Sequence, residues 1–309
     1  MYREVIVILI INTLLLCLNT AVSSVLICGL ALIKAVLPIP LVQRPVTRAC
    51  NYIMWVWSGL NHKLIDVTSR DLEWDVQGGE GLSKEQWYLL IANHLSWADI
   101  VVIFCVFRNR IPMAKFFIKQ ELLYVPFLGL ACWAVDMPFM KRYSRNYLLR
   151  HPEKRGEDLK TTRRSCAKFK STPTTVVNFV EGTRFTEEKQ QTSKSPYGHL
   201  LPAKTGGVSY TLGAMGEQFD GIVNVTLAYP DNRAFPFRDL VGGKMGRIVV
   251  RIDVLPVEPA LVGDNIQDKG FKKEFRCWLD ALWQQKDQDL ELIYGQTEKV
   301  PEVKTVVQN

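Results

Sequence analysis

From Val5 to Ile33 the chain carries no charged residue, and polar breaks fall at Asn19, Ser23, Ser24 and Gly29. A helix over these positions would be about 43 Å long. A bilayer's hydrocarbon core is about 30 Å thick, so one tilted helix would cross it with length to spare. The polar breaks allow a second arrangement, a bent or two-part helix immersed in one leaflet. The run is too long for the apolar part of a cleaved signal peptide. A shorter apolar stretch, Tyr52 to Trp57, cannot span, but its two Trp and one Tyr suit either an interfacial helix or packing on the main domain. Residues 1–60 therefore read as a membrane anchor with an interfacial helix.

Beyond about residue 85 the pattern changes to short apolar runs alternating with longer amphipathic ones. Strands are expected at Trp87–Ala92, Thr174–Val180, Ile222–Ala228 and Gly246–Val254. Helices are expected at Ala98–Phe107, Gln120–Ala134, Asp158–Lys170 and Gly207–Gly213. Phe271–Tyr294 also has helical spacing, with an interruption around Lys286–Asp289. This alternation predicts one α/β domain over residues 61–295, with a mixed, largely parallel β-sheet flanked by helices, and a frayed tail over 296–309.

Composition adds little until it is localised. At 309 residues, 48% apolar and 22% charged, the chain is neither disordered nor a polytopic transporter. The net charge is +7, yet Lys141–Lys170 alone holds eleven basic and three acidic residues, so the rest is close to neutral. A local patch calls for a local anionic partner: lipid headgroups, a phosphorylated ligand or nucleic acid. No helix-turn-helix, RNP or zinc-finger signature accompanies it, which argues against nucleic acid. Seven cysteines without C-x-x-C spacing and four scattered His give no metal cluster and fit a reducing, cytosol-facing compartment.

Two short segments carry candidate chemistry, and each follows an expected strand. In Asn93-His94-Leu95-Ser96-Trp97-Ala98-Asp99 the turn into a helix can return the Asp99 carboxylate to the His94 imidazole. A carboxylate on one ring nitrogen fixes the tautomer and leaves the other free to take a proton. In Glu181-Gly182-Thr183-Arg184 the glycine permits a tight turn and the arginine offers a planar fork for phosphate. Read singly, these segments also fit a surface histidine near a helix start and a plain turn with a solvated arginine.

Together, in this order and 87 residues apart, N-H-x-x-x-x-D and E-G-T-R resemble the glycerophospholipid acyltransferase family. Lys119-Gln120-Glu121-Leu122 and Phe139-Met140-Lys141-Arg142 resemble its intermediate segments. The run from Glu181 to Glu187, with Leu200-Leu201-Pro202 and Lys204, resembles the lysocardiolipin acyltransferase subgroup most. The late block Val223–Pro230 keeps only the last of the family's two prolines, and Gln120 stands where a second lysine is usual.

The resemblance implies transfer of an acyl group from acyl-CoA or acyl carrier protein to the hydroxyl of a lysophospholipid. His94 and Asp99 would be catalytic; Glu181, Gly182, Thr183 and Arg184, with Lys119 and Arg142, would bind substrate; no cofactor or metal is needed. It also implies a bacterial inner-membrane enzyme facing the cytoplasm, in line with Lys34, Arg44 and Arg48 following the apolar run. A hydrolase, with water in place of the lipid hydroxyl, is the alternative reading of the same pair.

Overall fold

The computed structural model describes residues 2–37, 39–125, 127–140, 150, 162, 164, 166–169, 172–263 and 268–298. The chain opens with two long helices, α1 (Tyr2–Val36) and α2 (Pro40–Thr68). They pack as an antiparallel hairpin, and polar residues of α1 mark the seam. Asn12 Nδ2 donates to Thr68 Oγ1 at 2.9 Å and to Val241 O at 2.7 Å. Asn19 Nδ2 donates to Asn61 Oδ1 at 2.6 Å and Trp57 O at 3.1 Å. Buried polar groups need such partners, so these side chains fix which face of α1 turns inward. The opposite face, with Leu14, Leu18, Val22, Val25 and Leu32, is left exposed. At mean hydropathy 2.2, α1 is long and apolar enough to cross a bilayer.

The domain that follows is built on a six-stranded sheet. Its strands are β1 (Glu73–Gly78), β2 (Tyr88–Ala92), β3 (Ala114–Phe116), β6 (Thr175–Phe179), β7 (Gly221–Ala228) and β8 (Arg247–Leu255), in the order β1-β8-β7-β2-β6-β3. Only the β7–β8 pair is antiparallel. A separate parallel pair joins β4 (Ile118–Lys119) to β5 (Phe139–Met140). The chain also forms the α-helices α3 (Ala98–Phe107), α4 (Leu128–Ala134), α5 (Glu187–Ser193), α6 (Thr205–Met215), α7 (Pro236–Val241) and α8 (Lys269–Glu298). Alternate residues of β2 go to opposite faces: Leu89 and Ile91 join the core that includes α6 and α8, while Tyr88, Leu90 and Ala92 join the core under α3. Burial on both faces explains why the central strands read as unbroken apolar runs.

Several expected elements differ. The stretch 120–134 is divided into a 3₁₀ turn, Gln120–Tyr124, and α4, because Phe127 takes a positive φ of 62° before Leu128. The expected break at Lys286–Asp289 is absent, and α8 runs through it. Lys286 is 1% exposed, and its Nζ donates to Val225 O at 2.7 Å and Thr226 Oγ1 at 2.9 Å. The polar residue that looked like a gap is a core residue. Most of the expected helix 158–170 lies outside the described residues, as does most of the basic segment.

Candidate active site

Strands β2, β6 and β7 are adjacent and parallel, so their carboxyl ends, Ala92, Phe179 and Ala228, emerge at one edge of the sheet. Ligand groups of open α/β sheets collect at such an edge. Asn93, the residue after β2, is fully buried and clamps that strand to β7: Nδ2 donates to Leu227 O and Oδ1 accepts from Leu227 N, each at 2.9 Å. The next residue is His94.

His94 Nδ1 lies 2.7 Å from Asp99 Oδ2. The same oxygen accepts the backbone N–H groups of Leu95 at 2.7 Å and Ser96 at 2.9 Å, which close the turn ahead of α3. Asp99 is fully buried, and its other oxygen accepts from the Tyr229 hydroxyl at 2.8 Å. Every bond fixes the carboxylate, and through it the imidazole. The ring also stacks on Phe179, centroids 4.0 Å apart and planes 11° off parallel. Phe179 in turn begins a row of rings through Phe116 and Phe104 to Trp57 in the hairpin, with steps of 5.9, 5.4 and 5.5 Å. Nδ1 is committed to Asp99, leaving Nε2 as the nitrogen available to a substrate.

The second motif closes over the first. Phe185 N donates to His94 O at 2.7 Å, and the His94 N–H points to Glu181 Oε1 at 3.3 Å. Glu181 is fully buried, so it shapes the loop from within. Burial pushes its carboxyl up to about 8, opposed by backbone N–H groups of His94 and Leu201; Oε2 has no partner among the described residues. That arrangement suits the neutral acid, since a proton satisfies the orphan oxygen. Gly182 has φ of 67°, and a Cβ there would meet the Lys204 side chain at 3.1 Å, which is why glycine suits the turn. Thr183 Oγ1 accepts from Lys189 Nζ at 3.0 Å, which also bonds Arg184 O at 2.8 Å. The Arg184 guanidinium lies over the Trp97 ring, 4.8 Å from its centroid. Trp97 belongs to the His94–Asp99 turn, so the structure joins the two sequence motifs by side-chain contact.

Lys119 is exposed on β4, and its side chain makes no hydrogen bond or ion pair with a described residue. Arg142 lies outside the described residues. Sequence reasoning gave no role to Asn93, Phe179 or Tyr229, which position the imidazole from the ends of β2, β6 and β7. Among the described residues no cluster of His, Cys, Asp and Glu could hold a metal.

The chain is similar to several known proteins. The profile of the Acyltransferase family matches residues 73–229, from β1 to the tyrosine behind Asp99. A 1-acyl-sn-glycerol-3-phosphate acyltransferase delta from Bos taurus is 27% identical over 206 residues, 62% of this chain and 48% of that protein. Lysocardiolipin acyltransferase 1 from Danio rerio is 24% identical over 235 residues, 70% of this chain and 55% of its own. The chain spans about half the length of the curated relatives it matches. The crystal structure of the 1-acyl-sn-glycerophosphate acyltransferase PlsC from Thermotoga maritima shares the fold: TM-score 0.53, 16% identity, covering 91% of this chain and 97% of that one.

Proposed function

Because the chain belongs to the acyltransferase family, we propose that it moves a fatty acyl group from a thioester, acyl-CoA or acyl carrier protein, to the sn-2 hydroxyl of lysophosphatidic acid or a related lysophospholipid. The observation that carries this reading is the 2.7 Å bond from His94 Nδ1 to Asp99, with the Arg184 guanidinium held on the same turn. An alcohol is a weak nucleophile at neutral pH. His94 Nε2 takes its proton as the new C–O bond forms, and Asp99 stabilises the imidazolium. The tetrahedral oxyanion then collapses, the C–S bond breaks, and the imidazolium returns the proton to the departing thiolate. No acyl-enzyme is needed, since the lipid hydroxyl stands where a serine would. Arg184 binds the acceptor's phosphate, with the 181–183 loop holding it in place; Lys119 and Arg142 are further candidates for the same anion.

The exposed apolar face of α1 supports membrane attachment. Contacts at both ends of α1, Asn12 to Val241 and Lys34 to Asp136, lie about 33 Å apart along the helix. A helix crossing the bilayer with those contacts intact would draw α7, with Arg238 and Asp239, to membrane depth. We therefore infer that α1 lies in one leaflet with its apolar stripe toward lipid. The free cysteines fit a cytosolic side; in a bacterium this is the inner leaflet of the inner membrane.

The test supplies purified protein with a labelled acyl thioester, with and without lysophosphatidic acid. Phosphatidic acid is expected only with the acceptor, and His94→Ala should lower its formation by about 10³-fold or more while the thermal unfolding midpoint is kept. Free fatty acid released equally in both tubes would make the protein a hydrolase.

A further inference from the structure

Away from the catalytic edge, the end of the hairpin and the first residues of β3 enclose a cavity of about 310 Å³ whose lining is unusually cationic. Arg44, Thr47, Arg48 and Asn51 stand at helical spacing on one face of α2 and supply one wall. Lys34 from α1 and Lys115 from β3 supply the other, and Asp136 is the one carboxylate among the described lining residues.

Four cations against one carboxylate leave an excess of three positive charges. The one carboxylate already has a partner. Lys34 Nζ bonds Asp136 Oδ1 at 2.9 Å, Thr47 Oγ1 at 2.9 Å and Ala134 O at 3.1 Å, which uses all three of its protons. Lys115 has no carboxylate in contact. It is 3% exposed, and its Nζ bonds only Asn51 Oδ1 and Val135 O, both at 2.6 Å, leaving one proton. Burial pulls its pKa down to about 8, so the ammonium persists at neutral pH in a setting that disfavours it. Arg44 and Arg48 make no ion pair with any described residue.

A buried cation is costly unless an anion answers it, and Asp136, already paired with Lys34, acts on Lys115 only at a distance. General attraction to an acidic surface explains exposed charges but not Lys115, which is nearly sealed from water. Two guanidinium forks beside ammonium groups match a phosphate better than a lone carboxylate. The cavity adjoins the turn between α1 and α2, where Leu37, Ile39 and Leu41 are exposed. A lipid whose chains lay along that apolar turn would bring its phosphate to this lining. We propose that the cavity binds the phosphate of an anionic membrane lipid, at a site separate from the acceptor's place beside Arg184. The proposal does not depend on the acyl-transfer reading.

The experiment follows the thermal unfolding midpoint of the full chain in neutral detergent as dihexanoyl-phosphatidylglycerol or inorganic phosphate is added. A saturable rise with the lipid is expected. Its apparent Kd should weaken by about tenfold or more in Arg44→Gln/Arg48→Gln, two exposed positions whose loss leaves the unliganded midpoint in place. Arg184→Ala should keep the response. No saturable response, or one unchanged in the double variant, would overturn the site. Loss of the response in Arg184→Ala would move the binding to the catalytic edge and overturn it equally. Inorganic phosphate acting at the same concentrations as the lipid would overturn the lipid assignment.

Discussion

Asp99 receives four donors on two oxygens, and only one of them belongs to the imidazole. The backbone N–H groups of Leu95 and Ser96 are local, so the pairing of His94 with Asp99 was legible in a seven-residue segment. The fourth donor was not, because Tyr229 comes from a strand 130 residues on; its only trace in sequence is a Tyr-Pro at the end of an apolar run. Tyr229→Phe removes that hydroxyl alone. Turnover is expected to fall about tenfold, the scale of one hydrogen bond, with KM unchanged. Glu181 offers a second test. Its folded pKa of about 8 lies above the unfolded value near 4.5, so between these limits unfolding releases a proton and stability falls as pH rises. The slope approaches about 1.4 kcal/mol per pH unit where the proton difference is complete. Glu181→Gln, a neutral isostere, should flatten the decline in unfolding midpoint between pH 5 and 8.

Among the elements, β2, β6 and β7 were readable because they are largely buried and rich in apolar and β-branched residues. Strand β8 was readable because its first half, Ile248–Val250, is fully buried. The edges were not. Strand β1 alternates polar and apolar residues, and its Asp75 is bonded to Arg251 and Arg247 of β8; that pairing is invisible until the strands meet. The long helix α8 was split in the reading because Lys286 sits on its buried face. Its ammonium holds Val225 O and Thr226 Oγ1 of β7, the strand that carries Tyr229. Burial lowers the Lys286 pKa to about 7, below the unfolded 10.5, so this residue's contribution is present at high pH and lost as pH falls through 7. In Lys286→Met the rise in unfolding midpoint from pH 7 to 10 should be smaller than in the parent, measured by calorimetry.

For the whole molecule, membership of the acyltransferase family was legible from two motifs, whereas the hairpin was not. An uncharged run announces contact with lipid but not which of its faces is already taken by protein; Asn12 and Asn19 settle that only once α2 is in place. Leu14→Glu/Leu18→Glu places charge on the exposed stripe without touching the seam. Vesicle flotation should show the variant largely unbound, with turnover of a soluble short-chain acceptor retained. The row of aromatic rings from Trp57 to the imidazole has a mechanical corollary. His94 leans, through Phe179, Phe116 and Phe104, on a ring of α2, so displacing the hairpin would disturb the packing behind the imidazole.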